Sequence, residues 1–149
     1  MIALLTAACG EPSPPTFRKL EIFAPGLEIT IDGQGAGSFL RRSQRANDRS
    51  GRFSLTSAQY DALVRRLEVY RNSEDAKEKV DFDRVFMQAP HCDISRSDQG
   101  GITFHWDGPE INQFYTVDYG CDAERNVRRN SDLRAILESL PVPEPESLP

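Results

Sequence analysis

An aromatic hairpin in the second half of the chain is the feature that most constrains its fold. Residues 101–106 alternate between large apolar and polar side chains, which is the period of a half-buried β-strand. Turn-forming residues follow at 107–110, and residues 111–119 return as an aromatic and β-branched segment. The two segments predict an antiparallel hairpin whose apolar face carries Ile102, Phe104, Trp106, Ile111, Tyr115, Val117 and Tyr119.

A second pair of alternating segments lies near the start of the chain. Residues 17–23 and 27–32 are rich in Ile, Leu and Phe, and the turn signal Pro25-Gly26 separates them. They predict two half-buried strands. Two short strands are expected at residues 35–42 and 51–55, with a polar loop at residues 41–47. Residues 80–87 are expected to form a strand or an irregular stretch.

Two helices are expected between and after these strands. Thr56 and Gln59 match a capping box, in which each side chain bonds the other residue's main-chain N–H. An apolar stripe at helical spacing follows, formed by Tyr60, Leu63, Val64, Leu67 and Tyr70. Asn130 or Ser131 is predicted to cap a final helix, whose stripe is Leu133, Ile136, Leu137 and Leu140.

The order of these elements predicts an α+β fold, an antiparallel β-sheet with two α-helices packed on one face. The chain has 149 residues, 38% of them hydrophobic, which suits a single domain over residues 17–140. The Pro-rich residues 141–149 are expected to form a disordered or extended tail. The longest apolar runs fall far short of the roughly 18–20 residues that a membrane-spanning helix needs, which argues against a channel or transporter.

The first ten residues carry the most specific motif. Residues 1–8 are uncharged and mostly apolar, and Leu5, Ala7 and Ala8 lead to Cys9. This stretch resembles the end of a bacterial lipoprotein signal peptide, in which a peptidase cuts before a cysteine that is then lipidated. The resemblance implies that residues 1–8 are a truncated signal peptide and that residues 9–16 are the lipid-anchor cysteine and its tether. The alternative is an apolar N-terminal strand with an incidental free thiol.

The same resemblance implies an address. Gly10 stands where inner-membrane lipoproteins of enteric bacteria carry Asp, so an outer-membrane lipoprotein facing the periplasm is expected. The body is loosely similar to small periplasmic lipoprotein domains, which share an Asp-Gly turn, a Ser/Thr-x-x-Gln helix start and a cysteine pair around an aromatic hairpin. Those features stand here at Asp32-Gly33, Thr56–Gln59, Cys92 and Cys121. This similarity implies an antiparallel sheet and no particular activity.

Cysteine counting agrees with that compartment. The chain has three cysteines, and a lipidated Cys9 would leave Cys92 and Cys121 as an even pair for a disulfide. Two buried free thiols are one alternative. A zinc site with His91 and His105 is another, although the short ligand spacings of structural zinc sites are missing. We therefore expect neither a metal nor another cofactor.

Motifs for catalysis are not found. The chain has no Gly-x-Ser-x-Gly and no His-Glu-x-x-His, and the glycine-rich residues 33–37 lack the Lys-Ser/Thr of a phosphate loop. The acidic residues within 74–83 are expected to be solvated, with a weak cation site as the alternative. We predict no catalytic residues and a protein that is not an enzyme. A small periplasmic hydrolase using His105 or His91 is the alternative.

Arginines cluster in one segment. Residues 41–52 contain five arginines against one aspartate, a local charge of +4, in a chain whose net charge is −5. These candidate ligands for an anionic partner are Arg41, Arg42, Arg45, Arg49 and Arg52. The net charge and the scarcity of interleaved aromatics argue against nucleic acid. We expect a lipid-anchored, non-catalytic binding module for an envelope protein or an anionic ligand; an inhibitor or adaptor of an envelope enzyme is the alternative.

Overall fold

A seven-stranded antiparallel sheet organises the chain. The computed structural model describes residues 17–43, 47–79 and 92–145. The strands are β1 (Lys19–Ala24), β2 (Leu27–Asp32), β3 (Ala36–Arg41), β4 (Arg49–Ser54), β5 (Lys77–Glu78), β6 (Gly101–Asp107) and β7 (Asn112–Asp118), and the helices are α1 (Ser57–Arg71) and α2 (Val127–Glu138). The strand order is β4-β3-β2-β1-β6-β7-β5, so the two predicted hairpins lie side by side with β1 next to β6.

The core lies between one face of this sheet and the two helices. Alternate residues of the central strands turn inward, as their period of two predicts, because successive side chains of a strand point to opposite faces. These strand residues and the buried residues of the two helices form one apolar cluster. It includes Leu20, Ile22, Ile29, Ile31, Phe104 and Trp106 of the sheet, and Leu63, Leu67, Leu133 and Ile136 of the helices. The predicted α+β class, with both helices on one face, is confirmed.

Helix α1 begins where its sequence predicts. The Thr56 hydroxyl accepts from the Gln59 N–H, and the Gln59 side chain accepts from the Thr56 N–H at 2.8 Å. These two bonds satisfy main-chain donors that a helix start otherwise leaves without partners. The helix ends at Asn72, whose N–H donates to the Glu68 carbonyl.

The start of α2 differs from the prediction. The helix begins at Val127 rather than after Asn130 or Ser131, because the Asn126 N–H bonds the Asp122 carbonyl and opens the helical path earlier. Asn130 is instead buried inside the helix, where its Nδ2 donates to the Tyr119 carbonyl at 3.2 Å. The first turn carries exposed Val127 and arginines, so no apolar period marks it. The predicted apolar stripe is confirmed as buried.

The predicted polar loop over residues 41–47 is also partly wrong. Arg41 closes β3, and β4 begins at Arg49, two residues before the predicted strand. Long charged side chains are common on edge strands, where both faces meet water, so polarity does not exclude a strand there. Residues 77–78, which lie within the acidic segment at 74–83, form the short edge strand β5 against β7.

Some expectations lie outside the described residues. They concern residues 1–16 with Cys9, Arg45, residues 80–91 with His91, and residues 146–149. Of the tail, residues 141–145 are described: Val142 packs against the core, and the Glu144 carbonyl accepts from Arg41 Nε at 2.9 Å. Among the helices that the structure describes, none combines the length and the apolar character needed to cross a bilayer.

Candidate functional site

The predicted arginine cluster maps to the β3–β4 edge of the sheet. We call Arg41, Arg42, Arg49 and Arg52 the edge arginines. The fifth predicted arginine, Arg45, is outside the described residues. β4 is the outermost strand and pairs only with β3 within the described sheet. The described part of the cluster is therefore not a free loop, because the pairing of β3 with β4 fixes the main-chain positions of these arginines.

A glycine and a phenylalanine face each other twice in this hairpin. Gly37 lies opposite Phe53, and Gly51 lies opposite Phe39. A Cβ on Gly37 would be 2.3 Å from the Phe53 ring, and a Cβ on Gly51 would be 2.7 Å from the Phe39 ring. Each ring thus covers its glycine, and both rings pack against the core. This packing holds the otherwise polar edge strand onto the sheet.

The register divides the edge arginines between the two faces of the sheet. Arg41 is directly opposite Arg49, on the face that carries the helices. Arg52 is opposite Ser38, which in turn is opposite Thr30 on the face without helices. Like charges directly opposite each other destabilise a strand pair. The Arg41–Arg49 pair therefore favours any anion that binds between or beside the two guanidinium groups.

The edge arginines differ in their partners. Arg42 Nε lies 3.2 Å from Glu28 Oε1, an ion pair whose side chains are 60% and 48% exposed and which is therefore weak. Arg41 binds the main-chain oxygen of Glu144. Arg49 and Arg52 are exposed and have no carboxylate partner within the described ranges. Two guanidinium forks are thus available for an anion at this edge.

The predicted disulfide joins Cys92 to Cys121. The Cα atoms of the two cysteines are 5.3 Å apart and the residues are 29 positions apart in sequence. This finding decides between the three possibilities that the sequence leaves open: the thiols are not free, and bonded sulfurs cannot serve as zinc thiolates. Across the described segments, no group of three or more His, Cys, Asp or Glu side chains could hold a metal ion.

Hydrogen bonds hold the disulfide segment against the turn between β7 and α2. The Asp122 carboxylate accepts from the Ile94 N–H at 2.9 Å, and the Arg96 N–H donates to the Gly120 carbonyl at 3.0 Å. A Cβ on Gly120 would lie 1.9 Å from the main-chain oxygen of Arg96, so only glycine fits there. The disulfide therefore links two segments that already contact each other closely.

His105 lies on the sheet face that the helices leave open. Its Nδ1 is 2.7 Å from Glu21 Oε2, its Nε2 is 3.0 Å from Asn112 Oδ1, and its ring stacks on Phe114 at 3.9 Å. Burial by itself would raise the pKa of Glu21, but hydrogen bonds from Lys19 and His105 outweigh it, so that pKa lies below its usual value. Both ring nitrogens are thus engaged by neighbours on the sheet, an arrangement suited to cross-strand packing.

The sequence does not predict one further feature, a cleft of about 580 Å³ at one end of the sheet. Tyr119, Arg134 and the tail residues 142–145 line it. The Arg134 guanidinium lies 4.3 Å from the centroid of the Tyr119 ring. Burial raises the pKa of Tyr119 to about 12, against the opposing effect of Arg134, and its hydroxyl has no hydrogen-bond partner in the part of the chain described. No local pattern links these residues, because five separate segments build the cleft.

A polar clamp joins the two helices. Asp132 on α2 accepts from the Tyr70 hydroxyl at 2.6 Å and from Arg66 Nη2 at 2.8 Å, both on α1. These bonds hold the pKa of Asp132 below its usual value. The clamp fixes the helices over the sheet and lies apart from the edge arginines in the sequence and on the fold.

Comparison with known proteins adds no relative to this picture. Searches against family models, curated proteins and solved structures gave no match to this chain.

Proposed function

We propose that this protein is a non-catalytic binding module of the bacterial cell envelope, anchored to the outer membrane by a lipid on Cys9 and facing the periplasm. Its edge arginines bind an anionic partner. The tether at residues 10–16 spans at most about 25 Å when fully extended, so the folded body would stay close to the membrane surface.

The anchor is supported by the residues around Cys9 and by the cysteine pairing. Cys92 and Cys121 are bonded to each other, which leaves Cys9 as the one cysteine of the chain outside that bond. Disulfides persist in oxidising compartments such as the periplasm and are rare where thiols are kept reduced. A lipid on Cys9 would account for the odd count, and its several acyl chains would anchor the protein stably.

One observation carries the binding role: Arg49 and Arg52 are exposed on an ordered edge strand and have no carboxylate partner among the described residues. Isolated arginines are ordinary on protein surfaces. Here the paired strands hold Arg49 directly opposite Arg41 on one face of the sheet and Arg52 on the other face, so positive charge lines both faces of this edge. An anion at this edge would gain bidentate hydrogen bonds as well as charge attraction.

Charge reversal tests the binding role. We expect Arg49→Glu with Arg52→Glu to abolish binding to poly-L-glutamate and to vesicles containing anionic lipid, measured by thermophoresis at low salt. The matched control is Arg65→Glu with Arg128→Glu, which makes the same change in net charge at exposed positions on the two helices. This control should bind as the native protein does.

The two variants separate a specific site from general attraction. Equal weakening in both would mean that net charge alone governs binding, and an unchanged edge variant would contradict the proposed site. Far-ultraviolet circular dichroism on each variant checks that the sheet is intact. Binding should weaken as salt increases, because exposed charges are screened over about 10 Å at 0.1 M salt.

A further inference from the structure

The outer edge of β4 presents unpaired main-chain groups. The Leu55 N–H donates to the Gly35 carbonyl at 2.9 Å, which fixes the alternation of the β3–β4 ladder. In an antiparallel pair every second pair of opposite residues is hydrogen-bonded, so the pairs that bond across this ladder include Gly37 with Phe53 and Gly51 with Phe39. The residues of β4 between them turn their N–H and C=O groups outward, away from β3. The outward residues are Ser50, Arg52 and Ser54, which have no main-chain partner on that side in the described structure.

Side-chain charge restricts what can pair with this edge. Strands with open edges add further strands unless something prevents it. A second copy of β4 that bonds through the same outward groups, with Arg52 opposite its counterpart Arg52, would set like charges against each other. Self-association through this edge is therefore disfavoured, whereas a strand bearing carboxylates would meet opposite charges at the same positions.

The register also restricts the spacing of those carboxylates. Arg49 and Arg52 are three residues apart, so they point to opposite faces of the sheet. Directly opposite residues of paired strands share a face. A pairing strand would thus need its two acidic residues three positions apart, one for each face.

We propose that β4 binds an extended acidic polypeptide segment as an eighth, antiparallel strand, with carboxylates three residues apart opposite Arg52 and Arg49. This inference rests on the proposed function and names the partner class of the same site. Main-chain bonds to the outward groups of β4 supply general affinity, and the two arginines supply selection, as in other cases of strand addition. The antiparallel direction matches every pairing in the described sheet.

Two octapeptides of identical composition test the spacing. Each is capped at both ends and contains three Thr, three Val and two Glu; one places the Glu residues three positions apart and the other two apart. We expect the first to bind about fivefold more tightly, since the second can set only one carboxylate opposite an arginine and a cross-strand pair contributes up to about 1 kcal/mol. At equal concentrations below saturation, the first should slow amide hydrogen exchange at Ser50, Arg52 and Ser54 more than the second does, measured by NMR.

A charge swap supplies the matched control. Arg49→Glu with Arg52→Glu should weaken binding of the first peptide by about tenfold or more, because two attractive pairs become repulsive. The same variant should then bind the peptide in which Lys replaces both Glu residues. This rescue would show that the variant strand is folded and that the charges act in pairs across the ladder.

The outcomes separate the two proposals. If both Glu peptides bind equally and no amide of β4 is protected, strand addition is wrong, while anion binding by the edge arginines stands. Binding to anionic vesicles, lost on charge reversal, without binding of either peptide would likewise overturn the inference and keep the function. If neither the peptides nor the vesicles bind, or if the reversed variant binds them as well as the native protein, both proposals are wrong.

Discussion

Loss of the Cys92–Cys121 disulfide should destabilise the protein by about 3.6 kcal/mol. The bond joins residues 29 positions apart. For a loop of that length, the chain-entropy relation gives an entropy change of about 12 cal/mol/K, which yields this free energy at room temperature. The segment retains the Asp122 and Gly120 contacts, so the native state should persist without the bond, and the change should come mainly from the unfolded chain.

Urea unfolding of the native protein and of Cys92→Ser with Cys121→Ser measures this difference. The matched control is Cys9→Ser, which should keep the native unfolding free energy and should still lose stability when reductant is added. Reductant should leave the double variant unchanged. A loss below about 1 kcal/mol would contradict this explanation, because it would mean that the bond does not restrict the unfolded chain as a loop of this length should.

Two further substitutions test the packing and the helix clamp. Gly120→Ala should cost about 3 kcal/mol in urea unfolding, because its Cβ would overlap the main-chain oxygen of Arg96. Gly33→Ala, whose new Cβ would lie 3.3 Å from the main-chain oxygen of Phe17, should cost clearly less. Asp132→Asn should cost about 1 kcal/mol at pH 7, since that carboxylate is 43% exposed. The pKa of Asp132 is lowered in the folded state, so this stabilisation is present above about pH 4 and is lost as pH falls through the folded pKa. Similar losses of stability for the two glycine variants would contradict the packing argument. A difference in unfolding free energy between the native protein and Asp132→Asn that is equal at pH 3 and pH 7 would contradict the argument about the carboxylate.

The features predicted from the sequence are those that local physics determines. The alternation in β1, β2, β6 and β7 requires one buried face, because a slip of one residue would expose every apolar side chain of the strand. Helix α1 has both a capping box and an apolar stripe, and its start is confirmed at Thr56. For Cys92 and Cys121 the sequence favours a bond, but only their distance in the fold decides it.

The features missed depend on contacts between distant segments. Arg71 lies outside the apolar stripe of α1, yet it is buried, and its carbonyl accepts from the Gln113 side chain of β7. The spacing of apolar residues along the helix does not predict this contact. Asn130 resembles a cap but lies inside α2, because the turn at Asp122 starts the helix earlier. The arginine cluster can be found in the sequence by counting charges. Its place at the sheet edge and its division between two faces cannot, because they depend on the order and register of all seven strands.

The mass of the N-terminal peptide tests the proposed envelope anchor most directly. The protein should be produced in a bacterium with the basic segment and apolar stretch of a lipoprotein signal, but no further cysteine, placed before residue 1; the membrane fraction is then digested and analysed by mass spectrometry. We predict that Cys9 is the first residue and carries a diacylglycerol, with a Cys9→Ser variant left uncleaved. An unmodified Cys9 in a chain that retains residues 1–8 would contradict the anchor and, with it, the outer-membrane address.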